Sequence, residues 1–236
     1  MNKYSQNYDQ ILSTMRSKNE NNSVRKIAGW ITPHTRVLEF GCSSGYMTRY
    51  LKEELSCEVH VLEIDAEAVE NARPYSVDCF VGDIESYGWV EYWKDKKFDV
   101  ITFADVLEHL RNPESVLRQC KGLLRTGGEI LISIPNISHN GVIADLLNNR
   151  FTYSTHGLLD TTHIRFFTKS SFEDLLENLG FEIVEYYGTK VKAKSSEFSL
   201  SYKNLPWYLR MILKYRSSGN VYQNLFRIRE AHKIEA

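Results

Sequence analysis

The chain has 236 residues, 42% of them hydrophobic, which is enough for one large domain with a real core and does not require a second. Its 29 Lys and Arg against 30 Asp and Glu leave no global field to recruit a polyanion, so nucleic acid is not an expected partner. The four cysteines, at 42, 57, 79 and 120, show neither a C-x-x-C pair nor a metal-ligand spacing, so reduced core thiols are expected and no metal centre.

Residues 1–22 are polar and carry neither a signal-peptide apolar region nor a membrane-spanning run, and no later stretch supplies one, so the expected location is the cytoplasm. Ser23 is read as the cap of a helix whose apolar positions Val24, Ile27, Ala28 and Ile31 follow helical spacing. Thr32-Pro33 breaks it, and a strand at Arg36–Phe40 runs into the turn Gly41-Cys42-Ser43-Ser44-Gly45. Two glycines there permit a tight turn with uncovered amides, which is a nucleotide-type cradle. A G-x-G-x-x-G dinucleotide fingerprint is broken by Ser43 and Tyr46, which disfavours a nicotinamide dehydrogenase.

Beyond the turn, Met47, Leu51 and Leu55 mark a helix, 58–64 a second strand, and Asp65 the cap of a helix over 66–72 that Pro74 prevents from continuing. Strands follow at 78–81 and 98–103, and Asn112-Pro113 starts a helix that buries Val116, Cys120, Leu123 and Leu124 and stops at Gly127-Gly128. A fifth strand spans 129–134. Ser170 and Glu173 have capping-box spacing ahead of a helix bearing Phe172, Leu175, Leu176 and Leu179, and a sixth strand covers 181–187. This alternation predicts an α/β fold: a Rossmann-like, doubly wound, mostly parallel seven-stranded sheet with helices on both faces. An antiparallel edge strand at 221–228 completes it. The expected organisation is one domain over 23–236, with an acceptor-side insertion at 136–169 and a helical insertion at about 203–217.

In such sheets ligands bind beyond the carboxyl ends of the strands. Those ends carry Glu39–Gly45, Glu63-Ile64, Asp83-Ile84, Ala104-Asp105 and Pro135-Asn136. An ionised Glu63 offers two acceptor oxygens to a ribose diol, and Asp83 with the Ile84 amide suits an adenine edge.

The ordered series Val37-Leu38-Glu39-Phe40-Gly41-Cys42-Ser43-Ser44-Gly45, Val61-Leu62-Glu63-Ile64-Asp65, Gly82-Asp83-Ile84 and Phe98-Asp99-Val100-Ile101 running to Glu108-His109-Leu110 resembles the class I S-adenosylmethionine-dependent methyltransferases over about residues 27–187. Glu39 stands where that family more often has Asp, and Ser43 where it often has Gly. The resemblance implies S-adenosyl-L-methionine as cofactor and S-adenosyl-L-homocysteine as product. It further implies that Glu39 and the backbone of Gly41, Cys42, Ser43 and Gly45 hold the methionine part. Glu63 with Ile64 would serve the ribose, Asp83 and Ile84 the adenine, and Ala104 with Asp105 the side near the sulfonium. His109 matches a Glu-His pair common in the family; its alternative is a turn histidine bonded to backbone.

The segment Phe151-Thr152-Tyr153, then His156-Gly157-Leu158-Leu159-Asp160-Thr161-Thr162-His163-Ile164-Arg165-Phe166-Phe167-Thr168, resembles a motif of bacterial methyltransferases associated with cell-surface polysaccharide synthesis. It implies O-methylation of a sugar or glycan hydroxyl. The rivals are a small aromatic or quinone-like acceptor and a non-catalytic cofactor-binding scaffold. A sugar alcohol needs a positioned base, for which His163 oriented by Asp160 is the first candidate, with His139 and His156 in reserve. The alternative is that Asp160, His163 and Arg165 only pin the loop. Phe151, Tyr153, Phe166 and Phe167 are read as core packing before a sugar platform. Trp207–Arg216 combines apolar and basic residues that suit peripheral contact with an anionic membrane through 205–216, or packing on the domain or a partner.

Overall fold

The computed structural model describes residues 21–231, so nearly all of the expected polar segment 1–22 lies outside it. Seven strands, β1 (Arg36–Phe40), β2 (Glu58–Glu63), β3 (Asp78–Val81), β4 (Phe98–Ala104), β5 (Leu124–Pro135), β6 (Phe181–Lys190) and β7 (Val221–Glu230), form one sheet in the order β3-β2-β1-β4-β5-β7-β6. β1 to β5 pair in parallel, and β7 runs antiparallel to both β5 and β6. The expected mostly parallel sheet with antiparallel pairing at one edge is therefore present. One refinement concerns that edge: β7 sits one place in, and β6 is outermost. Leu225, Phe226 and Ile228 of β7 are fully buried, whereas Val184 and Ile183 of β6 are exposed, so the strand that is apolar on both faces takes the covered position.

β1 and β4 read as near-continuous apolar runs because helices cover both faces. On one face α1 (Ser23–Trp30) and α2 (Tyr46–Glu53) pack over Val37, Val59, Val61, Val100 and Leu131. On the other, α4 (Gly88–Tyr92), α5 (Pro113–Lys121) and α7 (Lys169–Asn178) pack Trp89, Val116, Leu117, Phe172 and Leu176 over Leu38, Phe40, Ile101 and Phe103. Phe40 and Phe103 stack at 4.7 Å across the β1 and β4 pair. α3 (Ala66–Ala72) follows β2 and is capped by Asp65 as expected. Asn112 caps α5, also as expected.

Two caps differ from the sequence reading. Asn22, not Ser23, caps α1 by accepting from the Arg25 amide, which leaves Ser23 as the first helical residue. Thr168 caps α7, exchanging hydrogen bonds with Ser171, so the box begins two residues before Ser170. The α5 helix ends at Lys121 and β5 already begins at Leu124, so Gly127-Gly128 lies inside the strand segment. α4 was not apparent from sequence, being too short to show periodicity.

Between β5 and α7 the expected insertion contains α6 (Asn140–Leu147), followed by an irregular run to 168. Between β6 and β7 two helices appear instead of one, α8 (Ser199–Asn204) and α9 (Trp207–Lys214), and α8 packs on α6. No helix among the described residues is long and apolar enough to cross a membrane.

Candidate functional site

Strand order reverses between β1 and β4, and a cavity of about 930 Å³ opens beyond the carboxyl ends of β1 to β4 at that point. Gly41, Ser43, Glu63, Ile64, Asp83, Ile84, Ala104, Asp105 and His109 all line it. Nine residues expected from sequence to share one ligand are thereby brought together. Tyr46, Glu85, Val106, Leu110, Arg111 and Ile164 line it too and were not singled out, although Val106 and Leu110 lie in the run that follows Asp105.

Three expected cofactor residues do not line the cavity. Glu39 shares the Val37 face of β1, opposite Leu38 and Phe40, and is only 1% exposed, under α2, where its Oε2 accepts from Thr48 Oγ1 at 2.7 Å. Burial, with help from Glu63, pushes its carboxyl up to about 7 despite the Thr48 bond. Cys42 is buried in the core under the turn, and its thiol is held protonated by desolvation. Gly45 closes against α3, where an added Cβ would lie 3.1 Å from the Ala72 backbone. These three shape the turn from beneath.

The turn itself is left-handed at Gly41 (φ 73°) and Ser43 (φ 48°). A Cβ at Gly41 would stand 2.7 Å from Val106 Cγ2, so glycine is required by both conformation and space. Ser43 adopts the left-handed conformation without being glycine, held by its amide donating to Glu63 Oε2 at 3.1 Å. The other oxygen of Glu63 accepts from the Ile64 and Asp65 amides at 2.8 and 3.1 Å, which fixes the carboxylate at the cavity wall. Asp83 accepts from the Glu85 amide at 2.8 Å through Oδ1 alone. Ile64 is 68% exposed and presents an apolar face beside these two acids.

Asp105, also left-handed at φ 55°, follows the last residue of β4. Its Oδ1 accepts from Ser133 Oγ at 2.7 Å, and Gln223 Nε2 reaches both carboxylate oxygens. Burial nonetheless raises its pKa. Asp adopts this conformation more readily than most residues, and here the Ser133 and Gln223 bonds hold it at the cavity edge.

The loop 160–167 docks on the short 3-10 turn Leu107–His109. The Ile164 and Arg165 amides both donate to the Glu108 carbonyl at 3.0 Å, and Arg165 Nε donates to the Arg111 carbonyl at 3.0 Å. Asp160 accepts from the Thr162 amide and hydroxyl at 2.8 and 2.6 Å, which holds its carboxyl below the usual range. The expectation that Asp160 orients His163 is therefore corrected: it closes a local turn. His139 is corrected as well, because it is fully buried with both ring nitrogens engaged, Nδ1 by the Gly141 amide and Nε2 by the Val191 carbonyl. It caps α6.

His163 is instead directed at Glu108. Its Nδ1 lies 3.3 Å from the Leu158 carbonyl, which can only accept, so Nδ1 carries the proton and Nε2 keeps its lone pair 4.0 Å from Glu108 Oε1. Burial lowers its pKa, which favours the neutral imidazole. His109 repeats the arrangement, with Nδ1 at 3.1 Å from the Thr162 carbonyl and its ring centroid 4.8 Å from that of His163. Glu108 is 1% exposed, and neither of its carboxylate oxygens has a hydrogen-bond partner in the protein. Burial, reinforced by Asp105, raises its pKa well above normal. The Glu-His pair was visible in the sequence; the approach of His163 from 54 residues away was not.

The residues present fit the cofactor implied by the motif series. The Gly41 turn leaves backbone that a Cβ would obstruct, Glu63 and Asp83 stand as acceptors on one wall, and Glu39 is a buried carboxylate whose raised pKa a nearby cation would relieve.

A family model described as "Methyltransferase domain" matches residues 8–186. A ubiquinone biosynthesis O-methyltransferase of Azoarcus sp. is 26% identical over 195 residues, covering 73% of this chain and 80% of the relative. One of the same description from Erwinia tasmaniensis is 30% identical over 116 residues, 45% of this chain and 47% of the relative. Among solved structures, a SAM-dependent methyltransferase of Archaeoglobus fulgidus aligns with TM-score 0.62 at 18% identity, over 95% of this chain and 100% of that one. The magnesium protoporphyrin IX methyltransferase of Synechocystis, with SAH bound, aligns with TM-score 0.57 at 13% identity over 94% of each chain.

Proposed function

The chain belongs to the methyltransferase-domain family and is a class I S-adenosylmethionine-dependent methyltransferase, and from that premise we infer that it methylates a phenolic hydroxyl on a small aromatic or quinone-like acceptor. The observation that carries this reading is the wall of the cavity beyond Asp105, where Val106, Leu110 and Ile164 give an apolar surface interrupted by the imidazole of His109. A flat apolar ring with one or two hydroxyls is complementary to such a wall. A sugar presents hydroxyls on every side and calls for more hydrogen-bonding partners. The relatives' description as ubiquinone biosynthesis O-methyltransferases favours the aromatic acceptor over the sugar or glycan reading of the 151–168 motif.

When bound, the cofactor supplies an electrophilic methyl on a sulfonium. The chain's own contribution is alignment and proton management. Ser43, Glu63, Ile64, Asp83 and Ile84 would bind the nucleoside, while Gly41 and the left-handed Asp105 set the wall against which the two reactants meet. A phenol near pKa 10 needs only modest help to ionise, and the His109 imidazole, which lines the cavity with His163 packed behind it, is the group placed to provide it. Phe151 packs edge-to-face on Tyr153 and on Phe166, but Phe151 and Tyr153 are exposed, so of the expected core aromatics only Phe167 is buried.

The test is an acceptor panel. Catechols and hydroxyquinols carrying an apolar tail should accept label from methyl-labelled S-adenosylmethionine, and sugars and lipid-free glycans should not. Transfer to glycans with none to phenols would overturn the aromatic reading and restore the sugar one.

A second feature supports peripheral contact with an anionic bilayer through 205–216. Trp207, Ile212 and Tyr215 are 72%, 62% and 77% exposed, and Arg210 and Lys214 share the helix. Exposed aromatic and aliphatic side chains beside cations match the boundary of an anionic membrane, where an acceptor with a lipid tail would reside.

A further inference from the structure

We propose that a second cavity, lined by Lys192, Lys194 and Lys214, binds a phosphate monoester or diphosphate group. It measures about 310 Å³, and Asn140, Tyr202 and Asn220 complete its wall. No carboxylate lines it. None of the three ammonium groups has an ion-pair or hydrogen-bond partner among the described residues, whereas Lys26, Lys121 and Lys169 each face an acid.

The charge is local. Between Thr189 and Val221 the chain carries seven Lys and Arg and one acid, Glu197, although its overall formal balance is −1. Glu197 is already committed, since its Oε1 accepts from the Tyr222 hydroxyl at 2.7 Å and from the Leu158 amide at 3.2 Å. Three ammonium groups around one small space repel one another, and a bound anion of matching charge removes that repulsion.

The cavity is framed by two buried residues at the start of α6. His139 Nε2 donates to the Val191 carbonyl at 2.7 Å, next to Lys192. Asn140 Nδ2 donates to the Leu213 carbonyl at 2.8 Å, next to Lys214, and the Asn140 amide donates to the Gly219 carbonyl at 2.8 Å, next to Asn220. Arg216 Nη1 closes the frame on Asn140 Oδ1 at 2.9 Å. A Cβ on Gly219 would lie 2.3 Å from Asn140 Nδ2, so only glycine lets the chain before β7 approach this closely. Three segments distant in sequence are thus pinned around one space, and His139, which the methyl-transfer site does not use, is one of the pins.

A monocarboxylate would answer one of three positive charges. A phosphate monoester carries about −1.5 to −2 at neutral pH with three acceptor oxygens, and a diphosphate carries more of both. Lysine binds such groups as a point charge. The Asn220 side-chain amide and the Tyr202 hydroxyl, neither with a hydrogen-bond partner among the described residues, supply neutral donors. The volume is near the lower bound of small-ligand pockets, about 300 Å³, so a compact head group fits.

Two sources present this chemistry, a soluble phosphate ester and the head group of a lipid. Lys214 ends α9, and the exposed Met211 and Tyr215 beside it would lie along a lipid tail. The lipid source rests on the bilayer contact proposed above, whereas the phosphate site does not.

The experiment titrates the full chain, free of any polyhistidine tag, with sodium pyrophosphate by calorimetry at low ionic strength, with and without S-adenosylhomocysteine. One equivalent should bind equally well in both conditions. Lys192→Gln, Lys194→Gln and Lys214→Gln should each weaken binding by roughly five-fold or more. Lys203→Gln removes an exposed charge of the same basic stretch outside the cavity and should change affinity by less than about two-fold. All four lysines are exposed, so the fold should be retained, which circular dichroism checks. No saturable binding, displacement by S-adenosylhomocysteine, indifference to all three cavity substitutions, or an equal loss in Lys203→Gln overturns the site, and none of these results touches the methyltransferase assignment. Sedimentation with vesicles of phosphatidylcholine and phosphatidic acid in equal parts identifies the source. Sedimentation that pyrophosphate competes away and Lys214→Gln abolishes assigns a lipid head group. Sedimentation that is absent, or indifferent to Lys214→Gln, beside intact pyrophosphate binding assigns a soluble phosphate ester.

Discussion

Gln223, near the start of the last strand, donates through Nε2 to both carboxylate oxygens of Asp105, at 2.9 and 2.8 Å. The two residues are 118 positions apart, and they meet only because β7 is threaded back between β5 and β6. The final strand thus buttresses the wall at which cofactor and acceptor must meet. Gln223→Leu keeps the side-chain bulk and removes both hydrogen bonds to a buried carboxylate. It should lower kcat by roughly ten-fold while changing stability by about 1 to 3 kcal/mol. Steady-state kinetics and urea unfolding measure both; an unchanged kcat would remove Gln223 as a positioning residue.

Glu63→Ala and Asp83→Ala should each weaken S-adenosylmethionine binding by roughly ten-fold or more, since each deletes a charged acceptor at the cavity wall. Isothermal calorimetry reads this directly. Wild-type affinity in both variants would contradict the placement of the nucleoside between β2 and β3.

Glu39 predicts a pH effect on the free protein. Below pH 4.5 it is protonated in folded and unfolded chains alike and contributes nothing to pH dependence. Between 4.5 and about 7 the unfolded chain releases a proton that the folded protein retains, so stability falls as pH rises, and the loss is complete above about 7. The full difference is roughly 3 kcal/mol. Glu39→Gln should therefore match wild type near pH 4.5 and exceed it at pH 8 in denaturant unfolding. If the cofactor's ammonium lies near Glu39, its binding at pH 6 should also release a proton, detected in buffers of different ionisation heat. A pH-independent stability difference would contradict the burial argument.

Gly41→Ala would force a left-handed alanine whose Cβ meets Val106 Cγ2 at 2.7 Å. A cost of about 1 to 3 kcal/mol and a loss of cofactor affinity are expected. Thermal melts and calorimetry test this, and a neutral outcome would show that the turn relaxes freely.

Trp207→Ala combined with Ile212→Ser should abolish flotation with vesicles rich in anionic lipid while leaving methyl transfer to a water-soluble phenol unchanged. Failure of the wild-type protein to float would dispose of the bilayer contact.

Glu63, Asp83 and Asp105 were legible in the sequence because each ends a short apolar run, and a parallel sheet carries all such ends to one side. The Gly41 turn was legible for the same reason. The motif resemblance implies that Glu39 serves the methionine part of the cofactor; its burial under α2, bonded to Thr48 behind the cavity lining, is a matter of packing that a linear motif does not show. Asp160 and His163 are three residues apart and looked like partners, yet Asp160 satisfies itself within a turn of Thr162. His163 Nε2 instead lies 4.0 Å from Glu108 Oε1, an approach made by loop docking, to which periodicity and capping rules are blind. His139 had the residue type of a base, but its burial and its two occupied nitrogens were matters of tertiary packing.

The central claim is methyl transfer to a phenolic oxygen beside His109, on whose ring the buried His163 packs. The most direct measurement follows methyl-labelled S-adenosylmethionine with an ortho-hydroxyphenol bearing an apolar tail, comparing wild type with His163→Ala by mass spectrometry and cofactor calorimetry. The predicted result is equimolar aryl methyl ether and S-adenosylhomocysteine from wild type. His163→Ala should be roughly a hundred-fold or more slower at unchanged cofactor affinity. Cofactor binding with no transfer to any phenol, or equal turnover by His163→Ala, would contradict it.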